Sequence, residues 1–157
     1  MTGTVIAIFT ASAAQAPTQS VPIAQLEAGR GTVADRYYSS EGTFSEKLEG
    51  KGNSDWEVTL IETEEIDRFN EAHRHELGYG DFRRNIATRD IRLNSLVGKQ
   101  FDIGGVKLAG IRLCEPCATL AATVTESVLP GLLGRGGLRA RVLNGGQVSV
   151  GDAIDAL

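Results

Sequence analysis

Glycine limits what this chain can fold into. Nineteen of its 157 residues are glycine, and they divide the apolar residues into short runs bounded by turns. Short apolar runs between many turns are the pattern of a β-rich fold. Long helices do not fit between such breaks, and no stretch approaches the length of a membrane span. Apolar residues make up 41% and charged residues 23%, which is the balance of a globular chain rather than a disordered one. Its length suits a single domain, residues 1–157, with a real core.

The pattern along the chain supplies the elements. Thr4 to Thr10 reads as a first strand, and Ala16 to Gln25 as a loop or extended segment. Ala11 to Ala16 mimics a signal-peptide cleavage site, but no Lys or Arg precedes Arg30 to form the basic region that a signal needs. Gly42 to Asp55 is polar and predicts an exposed loop. Trp56 to Ile61 alternates as a strand does. Thr63 is placed to cap a helix from Glu64 to Leu77, with Ile66, Phe69, His73 and Leu77 on one face and Gly78 as its stop. Gly104-Gly105 joins Phe101–Ile103 to Val106–Leu113 as a hairpin. Pro116 to Thr125 predicts a second helix with Pro116 as its first residue. Leu129 to Gly137 is a glycine-rich connection. Leu138–Leu143 and Gln147–Val150 predict a closing hairpin across Asn144-Gly145-Gly146. The expectation is a small, mainly β barrel with a few packed helices.

Both cysteines fall in one stretch, Cys114-Glu115-Pro116-Cys117. A helix beginning at Pro116 puts Cys117 in its first turn, where free N–H groups and the helix dipole favour a thiolate. Glu115 opposes that at either thiol. The plain alternative is a pair of small buried hydrophobes. Together with His73 and His75 the thiols have the composition of a zinc site, but not its spacing or order. A thioredoxin-like pair needs a βαβ context that is missing here. Two cysteines make no disulfide framework, so a reducing cytoplasm fits.

The net charge of −4 argues against general nucleic-acid binding. Within this acidic chain Arg83, Arg84, Arg89 and Arg92 stand close together, and Arg112, Arg135, Arg139 and Arg141 follow. Guanidinium forks suit phosphate and carboxylate, and Gly134 to Gly137 could bring backbone N–H groups to an anion. A solvated strand face accounts equally well for Arg139 and Arg141.

Taken in order, Arg84-Asn85-Ile86, Leu96-x-Gly98, Phe101-x-Ile103-Gly104, Pro116-Cys117 and the run Gly137-Leu138 to Gly151-Asp152 resemble the MOSC domain found at the C-terminus of molybdenum cofactor sulfurases. Gly3-Thr4-Val5 and Gly31 to Tyr37 extend the resemblance over nearly the whole chain. It implies a standalone MOSC-like β-barrel that binds a molybdenum cofactor (a molybdopterin). Cys117 would be the protein ligand to the metal, a soft thiolate on a soft site. Arg84 and Asn85 would line the same pocket, Arg84 toward the cofactor's phosphate. Arg112 and Arg135 are further candidate cofactor-binding residues. The implied chemistry is reduction of an N-hydroxylated small molecule at molybdenum, with electrons from a partner protein. Alternatives are a sulfur carrier, with a persulfide on Cys117 received from a donor and resolved by Cys114, and a barrel that only binds. The sequence departs from the family at Ala34-Asp35, where relatives carry Gly-Asp, and in the extra thiol of Cys114. It contains no pyridoxal-phosphate domain of its own. No nucleic acid and no membrane is expected among its partners.

Overall fold

The computed structural model describes residues 2–43 and 54–157. Most of the predicted polar loop, residues 44–53, lies outside the described residues. Among the described residues eleven strands form: β1 (Thr2–Thr10), β2 (Gln19–Val21), β3 (Ile23–Glu27), β4 (Gly31–Thr32), β5 (Val58–Glu62), β6 (Ile86–Arg89), β7 (Gln100–Ile103), β8 (Val106–Leu113), β9 (Leu138–Val142), β10 (Gly146–Ser149) and β11 (Ala153–Ala156). Among the described residues three α-helices accompany them: α1 (Thr63–His73), α2 (Ala118–Thr123) and α3 (Val128–Gly131).

Seven strands run in the order β11-β7-β8-β9-β5-β6-β1, and β1 closes the ring by pairing back onto β11. Closure removes the sheet edges, which would otherwise expose unpaired backbone groups. Every pairing in the barrel is antiparallel except β5 with β6. A parallel pair needs a crossover connection, and α1 lies within it. β2 continues outward from β1, and β10, β3 and β4 form a separate sheet.

Two layers of core follow from strand alternation. Inward residues such as Val5, Ile8, Leu60, Ile86, Phe101, Leu108, Leu138, Ala140 and Ile154 fill the barrel. Ala24, Leu26 and Val148 of the small sheet join that same cluster. Val5 and Ile8 can both point inward because the β1–β6 register shifts between Val5 and Ala7; the extra residue resets the alternation. Outside the barrel, Ile61 and Ala87 meet Ile66 and Phe69 of α1, Leu120 and Ala121 of α2, and Val128 and Leu132. The helices thus cover one outer face.

Several expectations are corrected. α1 ends at His73, because Arg74 adopts a left-handed conformation (φ 56°) and its N–H returns to the Asn70 carbonyl. Leu77 therefore lies beyond the helix, although it still packs on the outer cluster. Thr63 is the first helical residue rather than the cap; its hydroxyl donates to the Thr88 carbonyl at 3.0 Å. The extended segment after β1 contains β2 and β3, and the glycine-rich connection contains α3. The closing hairpin does not form: β9 pairs with β5 and β8, whereas β10 pairs with β3. The hairpin of β7 and β8 does form, with Ile103 opposite Val106.

Glu57 ties the small sheet to the barrel. It is 3% exposed, and its Oε1 accepts hydrogen bonds from the N–H of Gly29 (2.9 Å) and, at 3.4 Å, from that of Val142. Burial pushes its carboxyl above the usual range, against the pull of those N–H groups and of Arg141. The folded chain then holds this proton to higher pH than the unfolded chain does. Its stabilising contribution is complete below the unfolded value and is lost as pH rises through the raised folded value. Glu57→Gln keeps an acceptor oxygen and removes the charge. Denaturant titrations from about pH 4 to about pH 7 should show a shallower fall in stability for this variant than for the native chain; equal slopes would refute the assignment. Phe69 is fully buried against α3 and the barrel wall, so Phe69→Ala should cost about 3–5 kcal/mol in the same assay.

Candidate functional site

The β8 strand delivers both thiols. Its register against β9 shifts between Gly110 and Arg112, and four irregular residues, 114–117, follow it. The Cys114 N–H donates to the Gly137 carbonyl at 2.7 Å. Gly137 has φ 112°, and a Cβ there would collide with the Leu60 carbonyl oxygen; only glycine lets this loop approach β5 so closely. Cys114 is 1% exposed and Cys117 half-buried. Cys117 is the N-cap of α2, not a residue of its first turn, and Pro116 lies outside the helix. Its Sγ accepts the Leu120 N–H at 3.5 Å. The expected link between this thiol and free helix N–H groups is therefore made by capping.

Arg84 and Asn85 approach from the other side, at the entry to β6. Arg84 donates from Nε to the Gly136 carbonyl (2.9 Å), from Nη2 to the Cys114 carbonyl (3.0 Å) and from Nη1 to the Phe82 carbonyl (3.3 Å). Asn85 is buried; its Oδ1 accepts from the Thr59 N–H at 3.0 Å and its Nδ2 donates to the Phe9 carbonyl at 3.2 Å. Much of the hydrogen-bonding capacity of both side chains is spent on holding the walls.

Those walls enclose a cleft of about 650 Å³, its open mouth included, lined by Arg84, Asn85, Cys114 and Cys117 together with Arg36, Arg83 and Arg139. Arg36 pairs with the buried Asp35 at 3.1 Å. Arg83, Arg84 and Arg139 have no ion pair among the described residues, and Glu115 is a carboxylate in the lining. Glu115 accepts the Gly134 N–H at 2.9 Å. The Gly134–Gly137 loop therefore does not offer that N–H to an anion; it supplies carbonyls to Arg84 and Cys114 instead.

Of the two readings of Arg139, the structure removes the solvated strand face. Alternation does put Arg139 and Arg141 on the outer face of β9, but only Arg141 is exposed. Trp56 covers Arg139, with the guanidinium carbon 3.8 Å from the ring centroid, and Tyr37 stacks on Trp56 at 5.2 Å. Arg139 is 9% exposed, and its Nε has no hydrogen-bond partner. Burial lowers the pKa of this guanidinium, and the charges of Arg84 and Arg112 add to the effect, while Cys114 and Tyr37 oppose it. Burial also lowers that of Arg83, with help from Arg36. A guanidinium remains charged even so. Among the described residues the lining therefore holds more guanidinium groups than carboxylates, an arrangement that favours an anionic ligand.

The expected cofactor residues divide. Arg84, Asn85 and Cys117 converge on this cleft, whereas Arg112 and Arg135 are not in its lining. Arg112 is half-exposed and pairs with Asp55 at 3.1 Å, and Arg135 reaches toward Glu65 at 3.5 Å. Strand register and loop path carry these two side chains to carboxylates outside the lining. Arg36, Arg83 and Arg139 join the site instead. Arg83 and Arg139 already stood in the cluster of arginines that the sequence marks for anion binding; Arg36 did not. His73 and His75 lie against the Phe69 ring. No group of three or more His, Cys, Asp or Glu side chains able to hold a metal forms among the described residues.

A family model, the MOSC domain, matches residues 47–155. The chain belongs to the MOSC domain family. The match takes in Trp56, Arg84, Asn85, Cys117 and Arg139 and begins beyond Arg36 and Tyr37. Among solved structures, this MOSC chain resembles the YuaD protein from Bacillus subtilis, with a TM-score of 0.82 and 17% identity over 99% of this chain and 96% of that one. YiiM from Geobacillus stearothermophilus superposes with a TM-score of 0.75 at 14% identity, over 99% and 75% of the two chains. YiiM from Escherichia coli gives 0.68 at 14% identity, over 99% and 68%. At such identities the likeness is one of fold. No curated protein sequence matches the chain. No helix among the described residues is long and apolar enough to cross a membrane.

Trp56 is the only tryptophan in the chain and stands on Arg139, so its fluorescence should report an anion in the cleft. Inorganic pyrophosphate should change it saturably, whereas chloride at matched ionic strength should not. Arg139→Gln removes a charged donor, and the apparent affinity should fall by about tenfold or more. Equal responses to pyrophosphate and chloride would deny the cleft an anion site.

Proposed function

We propose that this MOSC domain binds a molybdenum cofactor in the cleft and reduces N-hydroxylated small molecules there. The observation that carries the reading is the buried, unpartnered Nε of Arg139, in a cleft that also holds the Cys117 thiol and an excess of arginines. That donor set fits the group chemically: guanidinium forks suit a phosphate monoester, and a thiolate suits a soft metal. When bound, the cofactor supplies a metal that takes an oxygen atom from substrate in a two-electron reduction.

The chain's own residues have separable roles in this reading. Cys117 provides the metal-ligating sulfur, and the Leu120 N–H orients it. Arg139 and Arg83 bind and neutralise the phosphate. Arg84 acts as a positioning residue, since it already holds the carbonyls of Phe82, Cys114 and Gly136. Asn85 positions too, by locking β6 to Thr59 and Phe9. The open mouth of the cleft admits a small substrate. Electrons come from a partner protein, and a reducing compartment such as the cytoplasm keeps Cys117 a thiol.

The test is production in a host that makes the cofactor, followed by metal analysis and detection of the pterin as its fluorescent oxidation product. The native chain should carry both molybdenum and pterin. Cys117→Ser should lose the molybdenum, and Cys114→Ser should retain most of it. A native chain without molybdenum or pterin, or a Cys117→Ser variant that keeps its metal, would overturn the reading.

A further inference from the structure

A second cavity adjoins the cleft. It measures about 570 Å³, its open mouth included, and shares Arg83 and Thr123 with the cleft lining. Residues 17–18, 77–83 and 123–124 wall it, and side chains fasten the first two of these stretches. The Thr18 hydroxyl donates to the Gly80 carbonyl at 2.8 Å, and Arg83 Nη1 donates to the Ala16 carbonyl at 2.6 Å. Asn70 holds both backbone groups of Leu77, accepting its N–H at 3.1 Å and donating to its carbonyl at 2.9 Å. A Cβ on Gly80 would run into the Phe9 ring, so the loop lies pressed onto β1. The cavity is therefore built by fixed walls rather than left by a loose loop.

Its chemistry is asymmetric. Pro17, Leu77 and Val124 are apolar, and the last two pack on the outer core. Asp81 contributes a carboxylate. Its Oδ2 accepts the Gly78 N–H at 2.8 Å, and no cationic side chain pairs with it among the described residues. Arg83 stands where the cavity meets the cleft. Its φ of 64° lies in the left-handed region that few non-glycine residues occupy, and such strain clusters at functional sites. Helix α2 joins the two spaces: Cys117 caps its start in the cleft, and Val124 follows its end in the second cavity. Its six residues at a rise of ~1.5 Å each make roughly 9 Å.

We propose that the second cavity seats the substrate of the reaction proposed above, and that this substrate is an amine, with its ammonium at Asp81, an apolar middle against Leu77 and Val124, and its N-hydroxyl end reaching past Arg83 and Thr123 toward Cys117. The chemistry at the far end rests on the cofactor reading; binding in the cavity does not. A carboxylate without a partner selects an ammonium. The apolar wall selects a hydrocarbon middle. The arginines of the cleft repel the cation, so the uncharged end is the one that enters. The length of α2 sets how far that end must reach.

The test uses the full chain as purified, whatever its cofactor content. Para-(aminomethyl)benzhydroxamic acid carries the ammonium, the apolar middle and the N-hydroxyl end. Benzhydroxamic acid lacks the charge, and the para-carboxy analogue reverses it. Calorimetry should rank the three affinities in that order, and the first compound should shift the amide signals of Thr18, Gly80 and Val124. Asp81→Asn keeps an acceptor for the Gly78 N–H and should cut the preference for the ammonium over the uncharged compound by about tenfold. Asp81→Lys should invert the order of the two charged compounds. Equal affinities, a preference that survives both substitutions, or signal changes confined to the cleft around Trp56 would overturn the inference. A chain found without molybdenum removes the reaction and leaves the seat; a molybdenum-loaded chain whose binding ignores Asp81 removes the seat and leaves the reaction.

Discussion

One guanidinium holds the cleft together. Arg84 donates to carbonyls from three separate places: Phe82 just before it, Cys114 at the end of β8, and Gly136 in the loop before β9. None of those carbonyls belongs to a strand or helix, so the barrel's own ladder does not satisfy them. Buried backbone acceptors need partners, and a charged donor is the strongest available. Without Arg84 the segment carrying the thiols would have little to fix it against the entry to β6. The loop Gly136-Gly137 completes the hold, because Gly137 reaches close to Leu60 and receives the Cys114 N–H.

The barrel explains why such a site can exist on its outside. Closure by β1 and β11 leaves the interior packed with buried apolar side chains. The outer face of β5 and β6 is then divided. Helices α1, α2 and α3 cover its apolar part, while Trp56, Tyr37 and the arginines occupy the region beside it. Arg139 is held there at a cost, since it is removed from water with Nε unpaired. Cation–aromatic contact with Trp56 offsets part of that cost, and a bound anion would offset more. A buried guanidinium nitrogen without a hydrogen-bond partner, as at Nε of Arg139, is uncommon enough that its position in a cleft points to a ligand.

Much of this was legible in the sequence. Alternation at β5, the double glycine between β7 and β8, and the apolar face of α1 predict elements that the structure contains, because each depends on neighbours within a few residues. The ordered motifs around Arg84-Asn85 and Pro116-Cys117 predict one shared cleft, and the structure brings those residues together. Arg112 and Arg135 belonged to the same cluster of arginines by sequence alone. Their carboxylate partners, Asp55 and Glu65, are 57 and 70 residues away, and no local pattern announces them.

By itself the sequence determined the period of each element, the glycines that turns and close approaches require, and the pairing of a thiol with a short helix start. These are properties of adjacent residues. Tertiary structure alone decided that β9 and β10 part company, β9 into the barrel and β10 onto β3. It alone decided that Trp56 covers Arg139 and leaves Arg141 to solvent. The two arginines are equivalent in strand register and in chemistry. What separates them is a ring brought from 83 residues away in the chain by the folding of the barrel, and burial of that kind leaves no trace in the local pattern.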